Sequence, residues 1–110
     1  MIVRRKHSGS GPQDAAFEVL GGERSCVRGS LHFTTVRELL AAGGIAIEAG
    51  KAAAIDLAGV TGSDSAGLAL LIEWLSIAKA SGRALRFENI PSQLQQIARL
   101  SEVEGLLAPG

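Results

Sequence analysis

The stretch 52–68, AAAIDLAGVTGSDSAGL, decides how the rest of this sequence is interpreted. Residues 52–57 form a short apolar run that is typical of a buried central strand, although alanine is a weak strand former. The small polar residues 58–63 predict a loop, and a helical pattern begins near Ser65. Ser63 or Asp64 is well placed to cap that helix, because a side-chain oxygen there accepts an amide hydrogen bond from the first turn.

The flanking sequence extends this strand–helix unit in both directions. Alternation within 17–29 predicts a β-hairpin, and the apolar pattern of 36–47 predicts a helix in which Gly43-Gly44 produces either a kink or close packing. Residues 84–88 predict a further strand, and 90–101 predict a third helix that begins near Pro91. The order β-β-α-β-α-β-α predicts an α/β fold, with a mixed sheet of about four strands and helices packed on one face.

Length and composition limit the classes of function that the protein can have. The 110 residues suit one domain, and 11 Lys+Arg against 11 Asp+Glu disfavour a nucleic-acid partner. A single cysteine cannot form a disulfide framework. Two histidines cannot form a metal site unless carboxylates complete the set of ligands. Residues 1–15, rich in Gly, Ser and Pro, predict a mobile tail before a domain over 16–110. The sequence shows no membrane span and no signal peptide, so we expect a cytoplasmic protein.

No catalytic constellation is complete in the sequence. Gly62 and Gly67 have the spacing of a phosphate-binding loop, but Leu68 stands where that loop requires lysine. Ser65 lacks the preceding glycine of a nucleophile elbow, and His32 is the sole candidate base within the predicted fold. We therefore predict a protein that is not an enzyme and that uses no metal or other cofactor.

The predicted helix 65–80 carries apolar residues on two nearly opposite sides. A helix on one sheet buries one such side, so the second is either covered by the terminal segment 103–107 or exposed as a binding surface. The second reading predicts an interaction protein, with a tryptophan at the centre of its binding surface. The predicted partner-binding residues are Ser63, Asp64, Ser65, Ala66, Leu70, Trp74 and Ile77.

A hydroxyl at the start of this helix has a second interpretation. The helix dipole tolerates a phosphate group there, whereas the added charge would disrupt a facing partner. Ser65 and Ser63 are therefore candidate phosphoacceptors as well as candidate contacts.

These residues resemble the STAS domain family, the fold of anti-sigma-factor antagonists and of modules attached to sulfate transporters. The family motif D-[ST]-[SG]-G-L matches residues 64–68 except at Ala66. Residues 64–71, DSAGLALL, are most similar to the D-T-G-G-L-A-L-L of MlaB-like subunits, the stand-alone STAS subunits of bacterial phospholipid-transport ABC complexes. The resemblance is convincing over about 52–107.

The resemblance implies a partner and a location. A MlaB-like subunit binds the ABC ATPase around the motif helix and lies at the inner membrane through that partner. The alternative is an anti-sigma-factor antagonist that binds an anti-sigma kinase and is phosphorylated by it. In those antagonists the phosphorylated serine precedes the motif glycine, where this sequence has Ala66, so the comparison favours a constitutive subunit.

Overall fold

Four strands form one mixed sheet in a computed structural model of the protein, which describes residues 15–107. The elements are β1 (Ala15–Gly21), β2 (Arg24–Leu31), α1 (Val36–Glu48), β3 (Ala54–Ser63), α2 (Ser65–Ala80), β4 (Arg86–Glu88), α3 (Ser92–Leu100) and α4 (Glu104–Leu107). The predicted α/β class and four-stranded mixed sheet are confirmed, while the short helix α4 was not predicted. The predicted tail, residues 1–15, lies outside the described residues apart from Ala15.

A two-residue turn closes the hairpin between β1 and β2. Gly22 and Glu23 both have left-handed backbones, with φ of 61° and 64°. Positive φ at both central residues matches the twist of antiparallel strands. The Glu23 carbonyl also accepts hydrogen bonds from the amides of Ala53 (2.7 Å) and Ala54 (3.2 Å), so the turn holds the start of β3.

The strand order is β1-β2-β3-β4; β1 and β2 are antiparallel, and the other two pairs are parallel. The predicted loop over 58–63 is wrong, because these residues continue β3, with Gly59 opposite Arg28 and Ser63 opposite Leu31. Two register shifts interrupt this pairing. These residues, which lack apolar alternation, therefore enter the sheet through backbone pairing with β2.

The two faces of the sheet differ in character, because successive residues of a strand point to opposite sides. One face is apolar and lies against the helices, as predicted; its buried side chains are Phe17, Val27, Ile55, Leu57 and Phe87. The other face is polar: Glu18, Cys26, Asp56 and Glu88 are neighbours in one row across the four strands.

Close packing of α1 on α2 is made possible by the glycine pair in α1. A Cβ on Gly43 would overlap the indole of Trp74, and one on Gly44 would lie 3.2 Å from Ile77 Cδ1. The indole Nε1 of Trp74 donates to the Leu40 carbonyl at 3.3 Å. The sequence predicted either a kink or close packing at Gly43-Gly44, and the structure shows close packing.

The predicted second apolar face of α2 is therefore not a free surface. Trp74 is 0% exposed and Leu70 is 3% exposed, and Ile77 is half-buried against α1. Trp74 also makes an edge contact with Phe17, with ring centroids 5.6 Å apart. The prediction that Leu70 and Trp74 contact a partner is wrong, because both side chains are buried in the core and α1 covers Trp74.

Candidate functional site

The site predicted around the motif lies where β3 passes into α2 through one residue, Asp64. The Asp64 amide donates to the carbonyl of Leu31 at 3.1 Å, which holds the junction against the end of β2. The Asp64 carboxylate accepts the amide hydrogen of Ala66 at 2.8 Å. Asp64 is thus the N-cap of α2, one of the two capping residues that the sequence predicted.

Ser63 is bound on several sides. Its amide donates to Gln93 Oε1 at 3.0 Å, and its hydroxyl donates to the Asp64 carbonyl at 3.0 Å. A Cβ on Gly67 would overlap the Ser63 hydroxyl and would lie 3.0 Å from Leu31 Cβ. The motif glycine therefore lets the first turn of α2 lie directly against the ends of β2 and β3.

Ser65 is the first residue of α2 and is exposed, and Ala66 beside it is half-buried. Of the predicted partner-binding residues, Ser63, Asp64, Ser65 and Ala66 lie together at this edge of the sheet. The structure separates them from the other three, because Leu70 and Trp74 belong to the core and Ile77 packs against it. The part of the predicted site that remains at the surface is therefore a short edge around Ser65.

A second loop, residues 32–35, lies beside this edge and was not predicted to belong to it. It follows Leu31, whose carbonyl binds Asp64. The Thr35 hydroxyl accepts the amide hydrogen of His32 at 3.1 Å and donates to the Ser30 carbonyl at 2.8 Å. Phe33 at its tip is 76% exposed. Sequence patterns missed this residue, because a single aromatic in a loop belongs to no periodic pattern.

Ion pairs lie on the polar face of the sheet, and one of them joins β2 to β4 across the strand between them. Arg24 on β2 donates to both carboxylate oxygens of Glu88 on β4, at 2.6 and 3.1 Å, and Arg86 donates to Glu88 at 3.0 Å. The hydrogen bonds from Arg24 lower the pKa of Glu88. The bonds from Arg24 to Glu88 therefore link β4 directly to β2.

Two further groups on this face have shifted pKa values. The Asn89 side chain and the Ala58 amide both donate to Asp56 Oδ1 at 2.9 Å, and these bonds lower the pKa of Asp56. Partial burial raises the pKa of the Cys26 thiol. Within residues 15–107, no group of three His, Cys, Asp or Glu side chains is arranged to hold a metal ion.

The fold agrees with comparisons to known proteins. A family model described as "Mlab, STAS domain" matches residues 26–108. The chain belongs to the STAS domain family. The predicted membership is confirmed over most of the chain, including most of β2, for which the sequence resemblance was loose.

Two solved STAS structures resemble the fold. The anti-sigma factor antagonist SpoIIAA in its unphosphorylated form superimposes with a TM-score of 0.63 at 19% identity, over 81% of each chain. The Bacillus cell fate determinant SpoIIAA in its phosphorylated form gives a TM-score of 0.61 at 20% identity, covering 83% of this chain and 85% of that one. At such low identity the likeness shows the shared fold. No curated protein matches this sequence.

Proposed function

We propose that this STAS protein is a non-enzymatic regulatory subunit that binds the ATPase of an ABC-type phospholipid transporter. It acts in the cytoplasm and lies at the inner membrane through that partner. The family match over residues 26–108 carries the proposal, since the matching model is the Mlab-type STAS domain. Within residues 15–107, no helix has both the length and the apolar character that a membrane span needs.

The geometry of the β3–α2 junction supports docking at Ser65. The edge is exposed at Asp64 and Ser65, yet its backbone is held by bonds to Leu31 and Gln93. A surface that is already ordered loses little conformational entropy when a partner binds. The junction therefore suits a permanent protein contact.

Ala66 supports constitutive binding. It occupies the position of the phosphorylated serine in anti-sigma-factor antagonists, and a methyl group accepts no phosphate. Its amide is engaged by the Asp64 cap and its side chain is half-buried. Binding to the ATPase then requires no phosphorylation step at this position.

A matched pair of charge substitutions tests the docking site. Ser65 and Ser92 are both exposed first residues of helices, α2 and α3. Glutamate at either position suits the helix dipole, so both variants fold. We expect Ser65→Glu to weaken binding to the purified ATPase subunit of the source cell's phospholipid transporter, measured by calorimetry, and Ser92→Glu to bind like the wild type.

The outcomes of this test separate the site from the function. Equal binding by Ser65→Glu and the wild type would remove Ser65 from the interface. Failure of the wild type to bind the ATPase at micromolar concentrations would refute the proposed function.

The exposed hydroxyl of Ser65 is the observation that favours the second candidate function, an anti-sigma-factor antagonist. Between the two candidate acceptors, Ser65 is the accessible one, because the Ser63 hydroxyl is hydrogen-bonded and lies against Gly67. Incubation with an anti-sigma kinase and ATP, followed by intact-mass measurement, tests this candidate. One phosphate on Ser65 would support it, and an unmodified protein would remove its regulatory step.

A further inference from the structure

We infer that Phe33 is the apolar anchor of the docking surface and that it inserts into an apolar pocket of the partner protein. The surface consists of two segments, residues 30–35 and 59–66. This inference rests on the proposed function, since it adds an anchor and a partner chemistry to the same site.

The two segments form one surface because hydrogen bonds join them. The Leu31 carbonyl accepts the Asp64 amide hydrogen at 3.1 Å. The hydroxyls of Ser30 and Thr61 lie 3.4 Å apart. Phe33 is therefore carried on a loop that is attached to the start of α2, beside the motif.

The backbone of the turn that carries Phe33 is held by hydrogen bonds, although the residue itself is 76% exposed. The amides of Thr35 and Val36 both donate to the His32 carbonyl, at 2.8 and 3.0 Å, and the Thr35 hydroxyl accepts from the His32 amide. The turn around Phe33 is thus closed by its own hydrogen bonds. An exposed aromatic ring on an ordered turn is well suited to anchor an interface, because the turn loses little conformational entropy on binding.

The chemistry around Phe33 identifies the kind of partner. Asp64 is the one formally charged residue of the two segments, and the rest of their polar side chains are mainly Ser and Thr hydroxyls. An aromatic centre, few charges and a rim of hydrogen-bonding groups are typical of a protein–protein interface. Neither segment contains Lys or Arg, but Arg28 lies opposite Gly59 and the exposed Arg37 follows Thr35 by two residues. Binding to vesicles is therefore the measurement that distinguishes a protein partner from an anionic lipid surface, which attracts basic residues.

Removal of the ring tests the anchor, and a second exposed apolar residue supplies the control. Leu100 on α3 is 85% exposed and lies outside both segments. We expect Phe33→Ala to weaken binding to the purified ATPase subunit by about 10- to 100-fold, as loss of an anchor does. We expect Leu100→Ala to bind like the wild type. Both variants keep the thermal stability of the wild type, since the side chains removed are exposed.

Each outcome has a distinct meaning. Wild-type affinity of Phe33→Ala, with weakened binding of Ser65→Glu, would overturn the anchor and leave the proposed function intact. Lack of binding by the wild type would refute the proposed function and the inference with it. Two other occupants of the surface, a lipid membrane and a second copy of this chain, are tested in parallel. Flotation with phosphatidylethanolamine–phosphatidylglycerol vesicles that depends on Phe33 would overturn the assignment of a partner protein. Self-association in sedimentation that depends on Phe33 would overturn it as well.

Discussion

Adjacent glycines in α1 provide a sensitive test of the core, because the structure predicts opposite effects for the same substitution. In Gly43→Ala the new methyl group would overlap three atoms of the Trp74 indole, a ring with no exposed surface. In Gly44→Ala it would lie 3.2 Å from Ile77 Cδ1, the flexible end of a half-buried side chain.

The expected magnitudes follow from three contributions. Alanine is favoured over glycine inside a helix by about 1 kcal/mol, and this gain applies to both variants. Overpacking a rigid core costs about 1–3 kcal/mol, and a displaced indole also loses its bond to the Leu40 carbonyl, worth about 1 kcal/mol. We therefore expect Gly43→Ala to lose about 1–3 kcal/mol of unfolding free energy. We expect Gly44→Ala to be neutral or more stable by up to about 1 kcal/mol.

Urea denaturation followed by far-UV circular dichroism measures both values, and fluorescence of Trp74, the single tryptophan, reports the packing directly. Gly43→Ala is expected to change the emission of Trp74 in the native state, whereas Gly44→Ala is expected to leave it unchanged. Equal stabilities of the two variants would refute the close packing of α1 on the indole.

Three further measurements test other parts of the structure. Trp74→Ala is expected to lower the unfolding free energy by about 3–5 kcal/mol; a loss below about 1 kcal/mol would contradict its burial. Glu23→Asn is expected to raise stability by roughly 0.5–1 kcal/mol, because asparagine tolerates the left-handed backbone of the hairpin turn better; an unchanged urea midpoint would argue against that turn geometry. Because folding lowers the pKa values of Glu88 and Asp56, their contribution is present at neutral pH and is lost as the pH falls below about 4. Glu88→Gln is therefore expected to flatten the acid-side fall in melting temperature; a slope equal to that of the wild type would argue against the bonds from Arg24 to Glu88.

Local sequence signals identified most of the elements, because the interactions behind them are local. The Asp64 cap bonds an amide two residues away, so its side-chain type and its place before an apolar helix were sufficient. The hairpin and the strand–helix order depend on turn residues and on periodicity within short windows. The motif around Gly67 identified the family, and the structure shows the close approach to Ser63 that requires glycine there.

Contacts between residues that are far apart in the chain determined what the sequence could not predict. Residues 58–63 lack the alternation of a strand and become one by pairing with β2, some thirty residues earlier in the chain. Helical periodicity identified two apolar sides on α2 but not what covers each, and α1 covers Trp74 through contacts that involve Gly43. The same limit applies to the proposed docking surface: Phe33 lies beside the motif because β2 pairs with β3 and the backbone of Leu31 binds Asp64. By itself the sequence therefore determined most of the elements, their order and the family. Only the tertiary structure decided which apolar side chains are core and which are surface, because burial depends on residues that are distant in the chain.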